Sequence, residues 1–214
     1  SYENIYIKNS TLEHAEGTPP NKGIDIEPDA DRQICHKLYI DNCLFKDHIA
    51  TSILLHLHRK YITEDEVFID IRNSIFVNNT AFGQNKINNN LKVNVNIYNN
   101  YVVNRRLASI INSFPKEGLI NIDNNFVFNW TTAPWSSAPA IFIDNMDEID
   151  LPFIPINIKN NYFSNPHNNY IYHVTPRSTN YLMQIKDINN YVQYNKYIGN
   201  PIKHAKNGNI SNFN

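Results

Sequence analysis

Ile69-Asp70-Ile71-Arg72-Asn73-Ser74-Ile75-Phe76-Val77-Asn78 is one copy of a repeat that returns at Ile5 to His14, Leu38 to Asp47, Val95 to Asn104, Ile120 to Asn129 and Ile156 to Asn165. The first position is Ile5, Leu38, Ile69, Val95, Ile120 or Ile156, and the third is isoleucine in every copy. The fifth is always asparagine: Asn9, Asn42, Asn73, Asn99, Asn124 and Asn160. The eighth is Leu12, Phe45, Phe76, Val102, Val127 or Phe163. The last is asparagine in four copies, with His14 and Asp47 in the other two.

Apolar residues two apart describe a strand with one buried face. An asparagine straight after a strand suits a left-handed backbone position, which Asn tolerates better than most residues. The apolar residue three places later starts a second strand facing the same core. Each copy therefore reads as strand, sharp corner, strand. One corner cannot bury its own apolar face, so the copies must stack. Stacking aligns the six asparagines in a column whose amides can bond as an Asn ladder. The corner asparagines lie 25 to 36 residues apart. One three-sided turn needs about 22 residues at ordinary strand lengths, so the excess goes into loops, and loops on a regular stack are where function sits.

The repeat I-x-N-[NSC]-x-[FVL]-x-N resembles that of the right-handed parallel β-helix proteins of the pectate-lyase-like superfamily. Gly23-Ile24-Asp25-Ile26-Glu27-Pro28 also resembles a strand common in its bacterial and phage members. The resemblance covers roughly residues 4–190. It implies an all-β, right-handed parallel β-helix (a solenoid) of about six to seven turns with an Asn ladder, occupying residues 1–196, with 197–214 as a C-terminal cap or tail. Lyases, hydrolases, epimerases and non-catalytic adhesins share this fold, so the resemblance speaks to architecture more than to activity. It implies an extracellular or cell-surface setting and a polysaccharide partner. The epimerases' Asp-Pro-His-Asp motif is absent, and of the pectate lyases' calcium-binding aspartates only Asp25, Asp29 and Asp31 offer any echo.

The bulk numbers agree with one domain. The chain has 214 residues, a net charge of −1 and 18% charged residues. That balance argues against nucleic acid, which calls for a basic face. No run approaches the roughly 18 apolar residues of a membrane span. Six glycines include no phosphate-binding loop. Cys35 and Cys43 leave the redox compartment undecided, with a disulfide between them geometrically allowed. The chain opens almost directly in the strand Ile5-Tyr6-Ile7. Solenoids need caps, so further domains or subunits are expected to cover its ends.

The third strand of each turn is expected at Gly23–Glu27, Ser52–Arg59, Ala108–Asn112, Ala140–Asp144 and Tyr170–Val174, with Thr80 to Leu91 a loop holding a weak strand. If Leu55 and Leu57 match Ile24 and Ile26, His56 stands over Asp25 and His58 over Glu27, about 4.8 Å away. The outward residues of the first two strands show no chemical theme, so the site is placed on the third strands. Asp25 and Glu27 lie about 6.5–7 Å apart on one strand face, within the roughly 6.5–9.5 Å range of inverting glycosidases. The plain alternative is a solvated strand face. In a lyase, His56 would be the base and Arg59 the stabiliser of the enolate-like intermediate, with His58 alongside; the alternative is rung-to-rung ion pairing. No cofactor is expected, although Asp25, Glu27, His56 and His58 would also suit a divalent cation such as calcium. Trp130 and Trp135 on a long loop, with Phe142, Asp144 and Tyr172 on the strands, are candidate sugar contacts, against a loop packed by its own aromatics. Two functions compete: an enzyme on an extended polysaccharide, lyase or glycoside hydrolase, and a non-catalytic glycan-binding, adhesin or structural segment of a larger surface or phage protein.

Overall fold

A computed structural model of the chain describes residues 4–14, 22–26, 35–48, 51–56, 66–87, 91–113, 117–128, 141–144, 156–164, 172–175, 192–193 and 196–198. Among these residues there are strands and no helix. β1 (Asn4–Lys8), β2 (Thr11–Glu13) and β3 (Ile24–Ile26) each begin a sheet. The next three, β4 (Lys37–Asp41), β5 (Leu44–Lys46) and β6 (Thr51–Leu55), pair with them in the same order. The pattern continues through β7 (Glu66–Arg72), β8 (Ile75–Val77), β9 (Thr80–Ile87), β10 (Lys92–Tyr98), β11 (Tyr101–Val103) and β12 (Ala108–Ser113). It closes with β13 (Glu117–Asp123), β14 (Phe126–Phe128), β15 (Ile141–Asp144), β16 (Ile156–Lys159), β17 (Tyr162–Ser164), β18 (Tyr172–Thr175), β19 (Val192–Gln193) and β20 (Lys196–Ile198). Each strand from β1 to β17 pairs in parallel with the strand three places on, giving sheets of seven, seven and six strands.

The corners explain the regularity. Asn9, Asn42, Asn73, Asn99, Asn124 and Asn160 all have φ between 51° and 57°. His14, Asp47, Asn78 and Asn104 close the second-sheet strands with φ of 52° to 65°. Each three-residue strand of β2, β5, β8 and β11 is thus held between two left-handed residues, where Asn, Asp and His are the common non-glycine choices.

Inside, side chains stack in files one strand apart. Ile40, Ile71, Ile97 and Ile122 are neighbours in register and fully buried, as the repeat's third position requires. Phe45 and Phe76 form the matching file of the second sheet, with ring centroids 5.0 Å apart and planes 10° from parallel. Each step removes about 4.8 Å of apolar edge from water.

The third sheet departs from expectation twice. Ile24 pairs with Ile53 and Ile26 with Leu55, so Asp25 lies beside Leu54, two residues away from the expected His56. A run that is apolar at 53, 55 and 57 looks the same after a two-residue slip. Thr80 to Ile87 is a full eight-residue strand where a loop with a weak strand was expected. Its inward file continues from buried Phe82 to buried Gln84, which breaks the apolar alternation. Gly83 faces the side where a Cβ would fall 2.9 Å from Thr51 Cγ2 and 3.1 Å from Leu54 Cδ1. Both cysteines are free thiols and buried; Cys43 Sγ donates to the Asp41 carbonyl at 3.4 Å, and burial pushes the Cys35 thiol up.

The asparagine ladder is present in a modified form. Asn42 donates to Asn9 (2.8 Å), Asn99 to Asn73 (3.3 Å) and Asn124 to Asn99 (2.8 Å). At the other two steps Asn73 and Asn160 donate to the carboxylates of Asp41 and Asp123, both at 2.8 Å. A carboxylate next to the corner is a stronger acceptor than an amide oxygen. That column is exposed. A second one, one residue further on, is buried: Ser74, Asn100, Asn125 and Asn161. There the backbone N–H of Ser74 donates to Asn100 Oδ1 (2.9 Å), that of Asn100 to Asn125 Oδ1 (3.0 Å) and that of Asn125 to Asn161 Oδ1 (2.9 Å).

Candidate functional site

Of the residues expected at the third-sheet site, Asp25 is in view and is ion-paired. Lys22 Nζ lies 3.1 Å from Asp25 Oδ2, with both side chains about one-fifth exposed. Asp25 Oδ1 is buried without a hydrogen bond among the described residues. Along the same outward row stand Leu54, Gly83, Ser109 and then the Phe142 position. His56 follows Leu55 at the end of β6, half-buried, and its backbone N–H donates to the Ile26 carbonyl at 3.0 Å. Phe142 and Asp144 lie on β15, and Tyr172 lies on β18 beside Ile141. Glu27, His58, Arg59, Trp130 and Trp135 lie outside the described residues. Among the described residues no three His, Cys, Asp or Glu side chains stand close enough to share a metal ion.

The first sheet holds a candidate site away from the third strands. Its outward face is a connected polar and aromatic surface. Strict register aligns Tyr6, Tyr39, Asp70, Asn96, Asn121 and Asn157 in one row. Lys8, Asp41, Arg72, Tyr98, Asp123 and Lys159 form the next. Arg72 links three of these residues. Its guanidinium donates to Asp41 Oδ2 at 3.2 Å and to the Tyr98 hydroxyl at 2.9 Å, and it lies over the Tyr39 ring 4.7 Å from the centroid. Asp41 also accepts from the Tyr39 hydroxyl at 3.1 Å and from Asn73 at 2.8 Å. A guanidinium lying over an aromatic ring, with one N–H on a carboxylate and another on a phenol oxygen, is held in one geometry.

Asp70 sits beside this network. Burial raises its carboxyl above the ordinary range; a hydrogen bond from Tyr98 and the charge of Lys37 act the other way, and the charge of Asp41 adds to the rise. One of its oxygens, Oδ1, is buried with no donor among the described residues. A raised native pKa means the folded state holds the proton more tightly than the unfolded chain. That stabilising contribution is present below the unfolded value and is lost as pH rises through the folded value. Asp70→Asn keeps an acceptor for Tyr98 and removes the charge. Its thermal midpoint is therefore expected to exceed the parent's at pH 7, with the gap shrinking as pH falls towards 4. A pH-independent difference in calorimetry would show that Asp70 is not desolvated.

Beside Tyr98 the two rows bound an open groove of about 250 Å³, lined by Asn96, Tyr98, Asn121, Asp123, Asn157 and Lys159. Asn121 Nδ2 donates to Asn96 Oδ1, and Asn157 Nδ2 to Asn121 Oδ1, both at 2.9 Å. The signal for this face was present in the repeat, whose second and fourth positions point outward on each rung. It was hidden because the residues differ from copy to copy and combine only once the register is known. No family model matches the chain, and neither a curated protein nor a solved structure matches it.

Proposed function

We propose that this chain is a right-handed parallel β-helix of about six to seven turns, matching sheets of seven, seven and six strands, and that it acts on an extended polysaccharide at or outside the cell surface. The observation that carries the reading is the outer face of the first sheet. Its rows of Tyr, Asn, Asp, Arg and Lys side chains run straight along the stack at one strand spacing, about 4.8 Å. A polymer laid along that axis meets a repeating set of hydroxyl-binding groups, which a compact small molecule would not use. The groove is open to solvent, so a chain can lie along it.

The whole chain, incubated with a panel of neutral and acidic polysaccharides, is expected to be retarded in affinity electrophoresis by at least one of them. Absorbance of an unsaturated uronate in the same samples would mark a lyase, new reducing ends without it a hydrolase, and retention alone a binding module. If no polymer is retained or shortened, the carbohydrate reading fails.

A further inference from the structure

We propose that the groove on the first sheet, between Asn96, Asn121 and Asn157 on one side and Tyr98, Asp123 and Lys159 on the other, is a subsite for two successive residues of an uncharged, hydroxyl-rich sugar chain running along the stack. The proposal rests on the polysaccharide reading and adds its place and ligand chemistry.

The amide ladder supplies the recognition. A carboxamide offers two N–H donors and two acceptor lone pairs. Asn121 spends one N–H on Asn96 and one lone pair on Asn157. One donor and one acceptor remain at that rung, side by side. A sugar hydroxyl is itself both donor and acceptor, so neighbouring hydroxyls on one ring satisfy such a pair. The ladder repeats this offer at the strand spacing, and three rungs span about 10 Å, the length of two pyranose rings in an extended chain. At its end Asn157 Oδ1 is buried away from solvent, so what this rung offers a hydroxyl is its amide N–H.

The walls set the class. Tyr98 is fixed by its bonds to Arg72 and Asp70, so its ring is a rigid apolar edge for the C–H face of a sugar. Asp123 and Lys159 are register neighbours of opposite sign on adjacent strands. Arg72, the nearest guanidinium, already serves Asp41 and Tyr98. The groove therefore offers balanced charge and an excess of neutral hydrogen-bonding groups, which favours an uncharged polymer over a polyuronate.

The test uses the full chain, galactomannan and hydroxyethylcellulose as neutral probes, and polygalacturonate as the acidic one. Asn121→Leu and Asn157→Leu are each expected to weaken neutral-polymer binding at least tenfold while the thermal midpoint stays within a few degrees of the parent. If either variant unfolds, the side-chain amide NMR signals of Asn96, Asn121 and Asn157 in the parent decide instead: they are expected to shift on adding galactomannan. Undiminished binding by both folded variants, or unmoved amide signals, would place the sugar elsewhere and overturn the subsite while leaving the polysaccharide reading intact. Binding of polygalacturonate alone would overturn the neutral class. If the parent binds none of these three and no other polymer of the panel, the underlying reading falls and the subsite with it.

Discussion

Asn125→Ala is expected to lower the free energy of unfolding by about 3–5 kcal/mol, more than any other single polar change in the stack. Asn125 is fully buried. Its Oδ1 accepts from both the backbone N–H and the side-chain amide of Asn100, at 3.0 and 3.1 Å. Its Nδ2 donates to the Ile97 carbonyl and to Asn161 Oδ1, both at 2.9 Å. Alanine leaves the Asn100 N–H without an acceptor and the Ile97 carbonyl without that donor, in a place water does not reach. Each such group costs roughly 1–3 kcal/mol, and the rungs on both sides depend on it. Asn99→Ala, one residue earlier, is the control. Asn99 has φ of 57° and an exposed side chain whose ladder partners turn to water. Its loss is expected to cost only about 1–2 kcal/mol, the price of alanine in the left-handed region. Urea titration of both variants checks the ordering; equal losses would mean that the buried column carries no special weight.

Phe76→Ala is expected to cost a further comparable amount, about 3–5 kcal/mol. Phe76 is fully buried and lies in register between Phe45 and Val102. Its ring stacks on Phe45 at 5.0 Å. The strands on either side are held at the hydrogen-bonding distance, so they cannot close over the space the ring leaves. Phe76→Leu keeps much of that volume and should recover most of the loss. Denaturant midpoints with unchanged slopes would check the pair. A loss below about 1 kcal/mol for the alanine variant would show that the interior rearranges around the cavity.

The sequence alone was enough for the strand–corner–strand unit, its six copies, the left-handed asparagines and the buried isoleucine file. Those features are local: period-two burial and a backbone conformation that few residues accept both leave marks within ten residues. It also contained the buried column, as Ser74, Asn100, Asn125 and Asn161 in the position after each corner, although only the bonds between rungs give that position its meaning. Register across the third sheet was not legible, because Ile53, Leu55 and Leu57 satisfy the same pattern two residues apart. Tertiary pairing set Leu54 beside Asp25 and so separated Asp25 from His56. The outer face of the first sheet was decided in the same way. Asp41, Arg72 and Tyr98 are 31 and 26 residues apart in sequence, and no local rule brings them together. Stacking does, because each turn returns the chain to the same row one strand spacing on, whatever the length of the loop between.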